Sequence, residues 1–481
     1  MGKDVRNLTM LMDFYEMTMS NGYFNDGVYK TRVVFDLFFR RNPDGGGYSV
    51  FVGLEQIVEY VLNLRFDEED IEYLRQNGIT DERFLNYLKN FKFGGDLYSF
   101  TEGTIMYPNE PVITVVATLI EAQLIETFLL LQVNHQSLIA TKASRLVRAA
   151  DGKVVSDFGA RRAHNADSAL YGARAAYIGG VSSTSNLLAA KRFSIPVSGT
   201  MAHSWVMFYG DEFTAFKKYA LTYPDSTLLL VDTYDVLKSG VPNAIRVAKE
   251  VLQPLGKRLK GVRIDSGDLA YLSRKVRKML DENGLNDCKI IATNSLDEYT
   301  ITSLISQNAQ ADIFGVGERL ITSKSDPVFG AVYKLSAVEN GGAFEPRIKI
   351  SENAEKITNP GLKSVYRVYD ESGKAVADLI AQSGEEIVSR KRLRYVDPSS
   401  PWRERYFENC TFKPLQIPVI IGGEAVYKRE SIEEIRAYVK YQLEREIWSE
   451  EQRFENPHAH YVDMTIEYYE MKTRLLQSLQ R

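Results

Sequence analysis

Residues 261–295 read GVRIDSGDLAYLSRKVRKMLDENGLNDCKIIATNS. The stretch opens on a short apolar run that breaks into Asp265, Ser266, Gly267 and Asp268. A helical segment follows and stops at Gly284, where glycine suits a helix end. A second apolar run, CKII, then breaks into Thr293, Asn294 and Ser295. Continuous apolar runs of this length suit strands buried on both faces, as in a parallel sheet. A strand, a helix and a strand in this order make one βαβ unit.

The same rhythm extends outward over about residues 150–335. The candidate strands are KVVSDFG, AAYIGGVSS, SIPVSGT, TLLLVDTYD, GVRIDSGD, CKIIATNS, ADIFGVG and AVYKL. That many units with short connections fit an α/β barrel, complete or partial, better than an open sheet. We expect this catalytic domain over residues 137–340. Residues 1–136 mix strand-like runs (TRVVFDLFFRR, YSVFVG) with helical ones (FDEEDIEYLRQNG) and read as an N-terminal α+β domain. The β-rich residues 341–398 are expected to complete its sheet. Residues 399–481 form a C-terminal helical and β extension whose SIEEIRAYVKYQLEREIW reads as an amphipathic helix.

Composition limits the function. The chain has 481 residues, 44% hydrophobic and 25% charged, which is ample for a large core. A net charge of −4 gives no field that favours nucleic acid or an anionic membrane, so any anion site must be local. The two cysteines are too few for a disulfide framework and fit a reducing compartment. The N-terminal residues lack the apolar region of a signal peptide. Glu121, Gln123 and Glu126 interrupt the apolar residues 112–133, which we read as a buried helix. The expectation is a cytoplasmic protein.

Parallel α/β sheets bind ligands at the carboxyl ends of their strands. Those ends read DFGARR, GGVSSTSN, SGTMAHS, DTYD, DSGD, TNS and GVGE. His203, one of five histidines, sits there among small residues that leave its ring reachable. It is a candidate nucleophile, base or ligand. Asp232 and Asp265 come directly at strand ends, where carboxylates can orient a histidine or hold Mg²⁺. One aspartate of each pair, Asp232/Asp235 and Asp265/Asp268, is expected to cap a helix instead. Arg263 shares the face of Asp265 by alternation, and an inward arginine needs an anion. Arg161 and Arg162 offer bidentate anion binding. Arg40, Arg41, Lys349, Lys356, Lys363 and Arg367 form basic edges that suit a pyrophosphate.

Together these motifs resemble the nicotinate phosphoribosyltransferase family. The resemblance rests on MDFYEMTM, FVGLEQ, EAQLIETFLL, TKASRLV, DFGARRA, AAYIGGVSSTSN, IPVSGTMAHSWV, VDTYD, GVRIDSGDL, GVGERL, DPVFGAVYKL and KISENAEKITNPG, over roughly residues 8–370. It implies a type II phosphoribosyltransferase fold. It also implies an ATP-coupled condensation of nicotinate with 5-phosphoribosyl 1-pyrophosphate through a phosphohistidine at His203, giving nicotinate mononucleotide and pyrophosphate. Asp232 and Asp265 would stand near His203 and Mg²⁺. Phe158 and Tyr15 of the partner subunit would stack on the pyridine ring, in a homodimer with shared active sites. Arg263 would meet the carboxylate, and Arg161 the ring-side anion or pyrophosphate. Gly315 and Gly317 would receive the 5′-phosphate, with Arg40, Ser204 and Lys356 among the phosphate and pyrophosphate ligands. Ser185 stands where the related nicotinamide enzyme carries an aspartate, which favours the acid substrate. Glu318 departs from the small hydroxyl residue expected in the glycine loop. The alternatives are a sister enzyme using nicotinamide or quinolinate, a Mg²⁺-dependent lyase or aldolase on a similar barrel, and a nucleotide-binding sensor.

Overall fold

The structure is a computed structural model that describes residues 6–351 and 356–479. Residues 1–5, and 352–355 of the KISENAEKITNPG motif, lie outside the described residues. The chain divides into two compact units, Met1–Thr141 with Val328–Arg481, and Lys142–Pro327.

In the second unit, strands Val154–Asp157, Ser183–Thr184, Leu228–Leu230, Gly261–Ile264, Lys289–Thr293 and Ile313–Val316 form one parallel sheet. Taken in chain order as first to sixth, they lie in the spatial order 2-1-6-5-4-3. That is chain order around a ring, opened between the second and third strands. Residues 196–200 stand in the opening. Val197 bridges Thr184, and the Thr200 hydroxyl donates to the Leu228 carbonyl at 2.7 Å. The fold is therefore an incomplete α/β barrel.

Several expected strands resolve differently. AAYI ends the helix Ala166–Ile178, because its alanines pack on a helical face, and the strand is only Ser183–Thr184. SIPVSGT makes a single bridge rather than a strand; Pro196 has no N–H to give a ladder. AVYKL belongs to Val332–Asn340 and pairs antiparallel in the first unit. The apolar residues 112–133 are not one helix. The β-branched ITVVAT takes a strand over Ile113–Thr118, and helices follow at Leu119–Gln123 and Glu126–Ala149.

The helices of the second unit follow their caps. Leu269–Glu282 begins at Asp268, whose carboxylate accepts from the Tyr271 N–H, and it buries Ala270, Ser273, Val276 and Leu280 on one stripe. The helical segment from Val236 begins at Asp235, which accepts from the Leu237 and Lys238 N–H groups. The apolar cluster beneath includes Leu230, Val262, Val276 and Ile290.

The first unit holds an antiparallel seven-stranded sheet, ordered Ala343–Pro346, Val332–Asn340, Arg32–Phe38, Ile113–Thr118, Asp96–Phe100, Gln416–Ile421 and Glu424–Ala425. Of residues 341–398, only Ala343–Pro346 join it. Lys363–Tyr369, Ala375–Gln382 and Arg392–Val396 build a second, six-stranded sheet with Arg405–Glu408, Thr411–Pro414 and Val462–Thr465. Residues 399–481 thus contribute strands to both sheets. Helix Ile432–Tyr441 starts at a capping box between Ser431 and Glu434. No helix among the described residues is long and apolar enough to cross a membrane.

Candidate active site

The carboxyl ends of the barrel strands surround a cavity of about 460 Å³ lined by residues of the second unit alone. Phe158, Arg161, Ser185, Arg263, Asp265, Gly315 and Gly317 line it. His203 stands beside it as the first residue of helix His203–Tyr209 and remains 39% exposed, so its ring is reachable.

Two aspartates face that ring. His203 Nε2 lies 3.9 Å from Asp232 Oδ1 and 3.8 Å from Asp265 Oδ2. The carboxylates are fixed by neighbouring strand ends. Asp232 Oδ2 accepts from the Asp265 backbone N–H at 3.0 Å and from the Ser266 hydroxyl at 2.6 Å. Asp265 Oδ1 accepts from the Thr293 hydroxyl. Asp232 Oδ1 is buried with no hydrogen-bond partner, and it is the oxygen aimed at His203. On the other side of the ring, Nδ1 lies 3.2 Å from the Thr233 hydroxyl. Two carboxylates at one nitrogen and a hydroxyl at the other orient the imidazole. The partner aspartates do other work: Asp235 and Asp268 are the helix caps.

Phe158 follows a buried carboxylate that shapes its turn. Asp157 accepts from the Gly159 N–H at 2.8 Å and the Thr184 hydroxyl at 2.7 Å, while burial pushes its carboxyl up. The Phe158 ring then lies against Gly315. A Cβ there would come 2.6 Å from Phe158 Cε2 and 2.6 Å from Thr293 Cγ2, so only glycine fits. Arg263 reaches the cavity with its Nε buried and unpartnered. Burial holds its guanidinium below the usual arginine range; the Arg161 charge adds to that, and Asp265 and Asp232 oppose it. A buried cationic edge with a free donor is suited to a ligand carboxylate. Ser185 places an uncharged side chain on the same wall.

Glu318 does not leave an open negative charge in the glycine loop. Its carboxylate takes the Lys324 amine at 2.7 Å, and that pairing holds its carboxyl below the usual range. Arg319 pairs with Asp297. Both Glu318 and Arg319 line the cavity rim. Asn294 and Ser295 hold left-handed backbone, at φ of 87° and 52°, where the fifth strand turns into the cavity.

Of the residues singled out in the sequence, His203, Asp232, Asp265, Arg263, Phe158, Arg161, Ser185, Gly315 and Gly317 meet at this one mouth. Ser204 is exposed on its helix and does not line the cavity. Tyr15, Arg40 and Lys356 belong to the first unit. Tyr15 is 44% exposed on helix Phe14–Asn25, and Lys356 is exposed. Arg40 lines a separate cavity within the first unit. Sequence reasoning missed Thr233 and Thr293 as the hydroxyls that hold His203 and Asp265. Their signal was a threonine one residue beyond a strand-end carboxylate or at a strand's last position.

Among the described residues, no group of three His, Cys, Asp or Glu side chains is arranged to hold a metal ion. Mg²⁺ in phosphate chemistry needs only one or two carboxylates, with water and substrate phosphates as its other ligands. The unpartnered Asp232 Oδ1 and the Asp265 carboxylate fit that donor set.

Comparison with known proteins agrees with this geometry. Three family models match: the nicotinate phosphoribosyltransferase N-terminal domain over residues 10–134, the nicotinate phosphoribosyltransferase family over residues 154–370, and the corresponding C-terminal domain over residues 362–472. The nicotinate phosphoribosyltransferase of Bacillus subtilis is 46% identical over 485 residues, covering 98% of each chain. The crystal structure of human nicotinic acid phosphoribosyltransferase superposes with a TM-score of 0.85 at 28% identity, covering 97% of this chain and 100% of that one. A nicotinate-nucleotide pyrophosphorylase from Pyrococcus furiosus has a TM-score of 0.69 at 25% identity, covering 92% and 97%. With a strand-end histidine held by two aspartates, and with family matches that span nearly the whole chain, this protein belongs to the nicotinate phosphoribosyltransferase family.

Proposed function

We propose that the chain joins nicotinate to 5-phosphoribosyl 1-pyrophosphate. The pyridine nitrogen forms the new bond to the ribose anomeric carbon, and the bond from that carbon to pyrophosphate breaks. ATP phosphorylates His203 to drive the cycle. The observation that carries this reading is the pair of fixed carboxylates at 3.8 and 3.9 Å from His203 Nε2. They fix the orientation of the imidazole that would carry the phosphoryl group. Mg²⁺, when bound, would neutralise phosphate charge next to Asp232 and Asp265.

Phe158 presents its ring face to the pyridine, and Tyr15 of the partner subunit closes the other face in a homodimer. Arg263 takes the nicotinate carboxylate, with Arg161 beside it for that anion or the leaving pyrophosphate. The neutral Ser185 adds no repulsion to an acid substrate. Gly315 and Gly317 bring backbone close to the 5′-phosphate. Anomeric displacement of this kind gains from positioning and cationic stabilisation more than from a strong acid or base.

The test is pyrophosphate release from nicotinate and 5-phosphoribosyl 1-pyrophosphate, with and without ATP. We expect ATP to accelerate the wild type and leave His203→Ala unaffected. ATP acceleration that survives in His203→Ala refutes the phosphohistidine. A higher kcat/KM for nicotinamide than for nicotinate refutes the acid substrate.

A further inference from the structure

The second strand of the barrel, Ser183–Thr184, has two residues, and its ladder to the first strand is the two pairs Ser156↔Ser183 and Asp157↔Thr184. A ladder that short fixes little of the backbone beyond it. Yet Ser185, the next residue, is part of the cavity wall, and so is Phe158, one residue beyond the first strand. Both walls need a fixed position if they are to grip one ring. The Asp157 side chain supplies it. Asp157 and Thr184 are each 1% exposed, and neither lines the cavity.

One oxygen serves each wall. Asp157 Oδ1 accepts from the Gly159 N–H at 2.8 Å, so the chain on both sides of Phe158 is tied to one carboxylate. The Phe158 N–H itself donates to the Val316 carbonyl at 2.8 Å. Asp157 Oδ2 accepts from the Thr184 hydroxyl at 2.7 Å, and that hydroxyl accepts in turn from the Asn186 N–H at 3.1 Å. Between them, the Ser185 N–H donates to the Asp157 carbonyl at 2.9 Å. Ser185 is therefore bracketed by its own backbone and by both chain neighbours, and every bracket leads back to Asp157. The fit at Gly159 is close: a Cβ there would come 2.7 Å from Ile321 Cβ and 3.0 Å from Asp157 Oδ1. A buried carboxylate is unfavourable for stability compared with a well-packed apolar side chain. Burial pushes the Asp157 carboxyl up, and the Thr184 and Gly159 bonds oppose that. What this arrangement secures is the placement of two wall residues.

We propose that Asp157 is a positioning residue for the substrate ring: its one side chain sets both Phe158, which offers the ring face, and Ser185, which keeps the acid side uncharged. The inference rests on the reading of this mouth as a nicotinate site. Asp157 acts through its neighbours, and the two arms can be cut separately. Thr184→Val removes the bond to the second strand and leaves the Gly159 bond. Asp157→Ala removes both. Asp157→Asn can keep both, since its amide oxygen accepts from Gly159 and its amide nitrogen donates to the Thr184 oxygen.

Steady-state pyrophosphate release with nicotinate, and separately with nicotinamide, reads the outcome. We expect Asp157→Ala to raise the KM for nicotinate at least about tenfold, with kcat and the KM for 5-phosphoribosyl 1-pyrophosphate within about twofold. Thr184→Val should raise the nicotinate KM about fivefold and narrow the preference for nicotinate over nicotinamide, and Asp157→Asn should stay within about twofold of the wild type. An unchanged nicotinate KM in Asp157→Ala overturns the role. A fall in kcat with a rise in both KM values also overturns it, because that pattern marks a general loss of structure. Should Asp157→Ala fold poorly, the other two variants make the comparison, and equal nicotinate KM values in them overturn the role. Absence of nicotinate turnover in the wild type is a different result: it refutes the site reading and this inference with it, before any variant is measured.

Discussion

Gly315→Ala is the sharpest probe of the barrel mouth. The added methyl would stand 2.6 Å from Phe158 Cε2 and 2.6 Å from Thr293 Cγ2, well inside contact distance on two sides. Both neighbours must move, and overpacking of this kind costs about 1–3 kcal/mol. For a unit the size of Lys142–Pro327, each kcal/mol lowers Tm by about 2–4 °C, so a fall of roughly 2–12 °C is expected. The same displacement reaches the chemistry by two routes. It tilts the ring proposed to stack on nicotinate, and it disturbs Thr293, whose hydroxyl holds Asp265. About 2 kcal/mol of misplacement lowers kcat/KM by about thirtyfold. Steady-state pyrophosphate release with calorimetric Tm measures both. Phe158→Leu in the Gly315→Ala background separates them: the smaller, flexible side chain relieves the crowding and recovers Tm, while the KM for nicotinate stays high because no ring face remains. A Gly315→Ala enzyme with wild-type Tm and kcat/KM would falsify the packing argument. Recovery of KM in the double variant would refute the stacking role of Phe158.

Three further outcomes follow from the same contacts. Thr233→Val removes the hydroxyl 3.2 Å from His203 Nδ1; at about 1 kcal/mol for the lost hydrogen bond, the ATP-stimulated kcat should drop about fivefold with the KM for nicotinate unchanged, and an unchanged kcat rejects the role. Lys142→Met leaves the fully buried Glu298 with Arg145 as its remaining cation and should cost about 3 kcal/mol, read as a lower urea midpoint; a midpoint at the wild-type value would show that Arg145 alone compensates. Asp463 is held protonated up to about 7, chiefly by burial and then by the nearby Asp397 charge, whereas in the unfolded chain it ionises near 3.8. The unfolded state binds fewer protons between those values, so this group makes stability fall as pH rises from about 4 to about 7. Asp463→Asn should flatten that part of the urea-midpoint profile, and an unaltered slope assigns it to another group.

Much of the barrel mouth was legible because its residues sit at points where the chain changes character. GVRI, CKII and LLL are largely apolar, so the switch to Asp265, Thr293 and Asp232 marks where a buried strand meets the mouth. Sequence could also say that one aspartate of each pair caps a helix, since a cap is fixed by local spacing; Asp235 and Asp268 accept from N–H groups two and three residues on. It could not say that Ser266 and the Asp265 N–H would meet on Asp232, because those bonds join neighbouring strands more than thirty positions apart.

What stayed hidden elsewhere has the same cause. Ile113–Thr118 looks like helix when joined to the apolar residues after it. It becomes a strand because Arg32–Phe38 and Asp96–Phe100 supply ladders on both sides, and β-branched residues fit that pleat. SIPVSGT looks like a strand but pairs through one bridge to Thr184, with the Ser183 hydroxyl on Ser198 and the Thr200 hydroxyl on the Leu228 carbonyl, so the ring opens at that point. The opening has a consequence for the site. Residues 199–202 line the cavity and lead directly into His203. A segment tied down by one bridge and the hydroxyl contacts of Ser198 and Thr200, in place of a full ladder, can shift at lower cost than a fully paired strand. Asp232 and Asp265, by contrast, are locked to their strands by hydrogen bonds. The histidine proposed to gain and lose a phosphoryl group therefore follows a loosely paired segment of the barrel, facing carboxylates that hydrogen bonds hold in place.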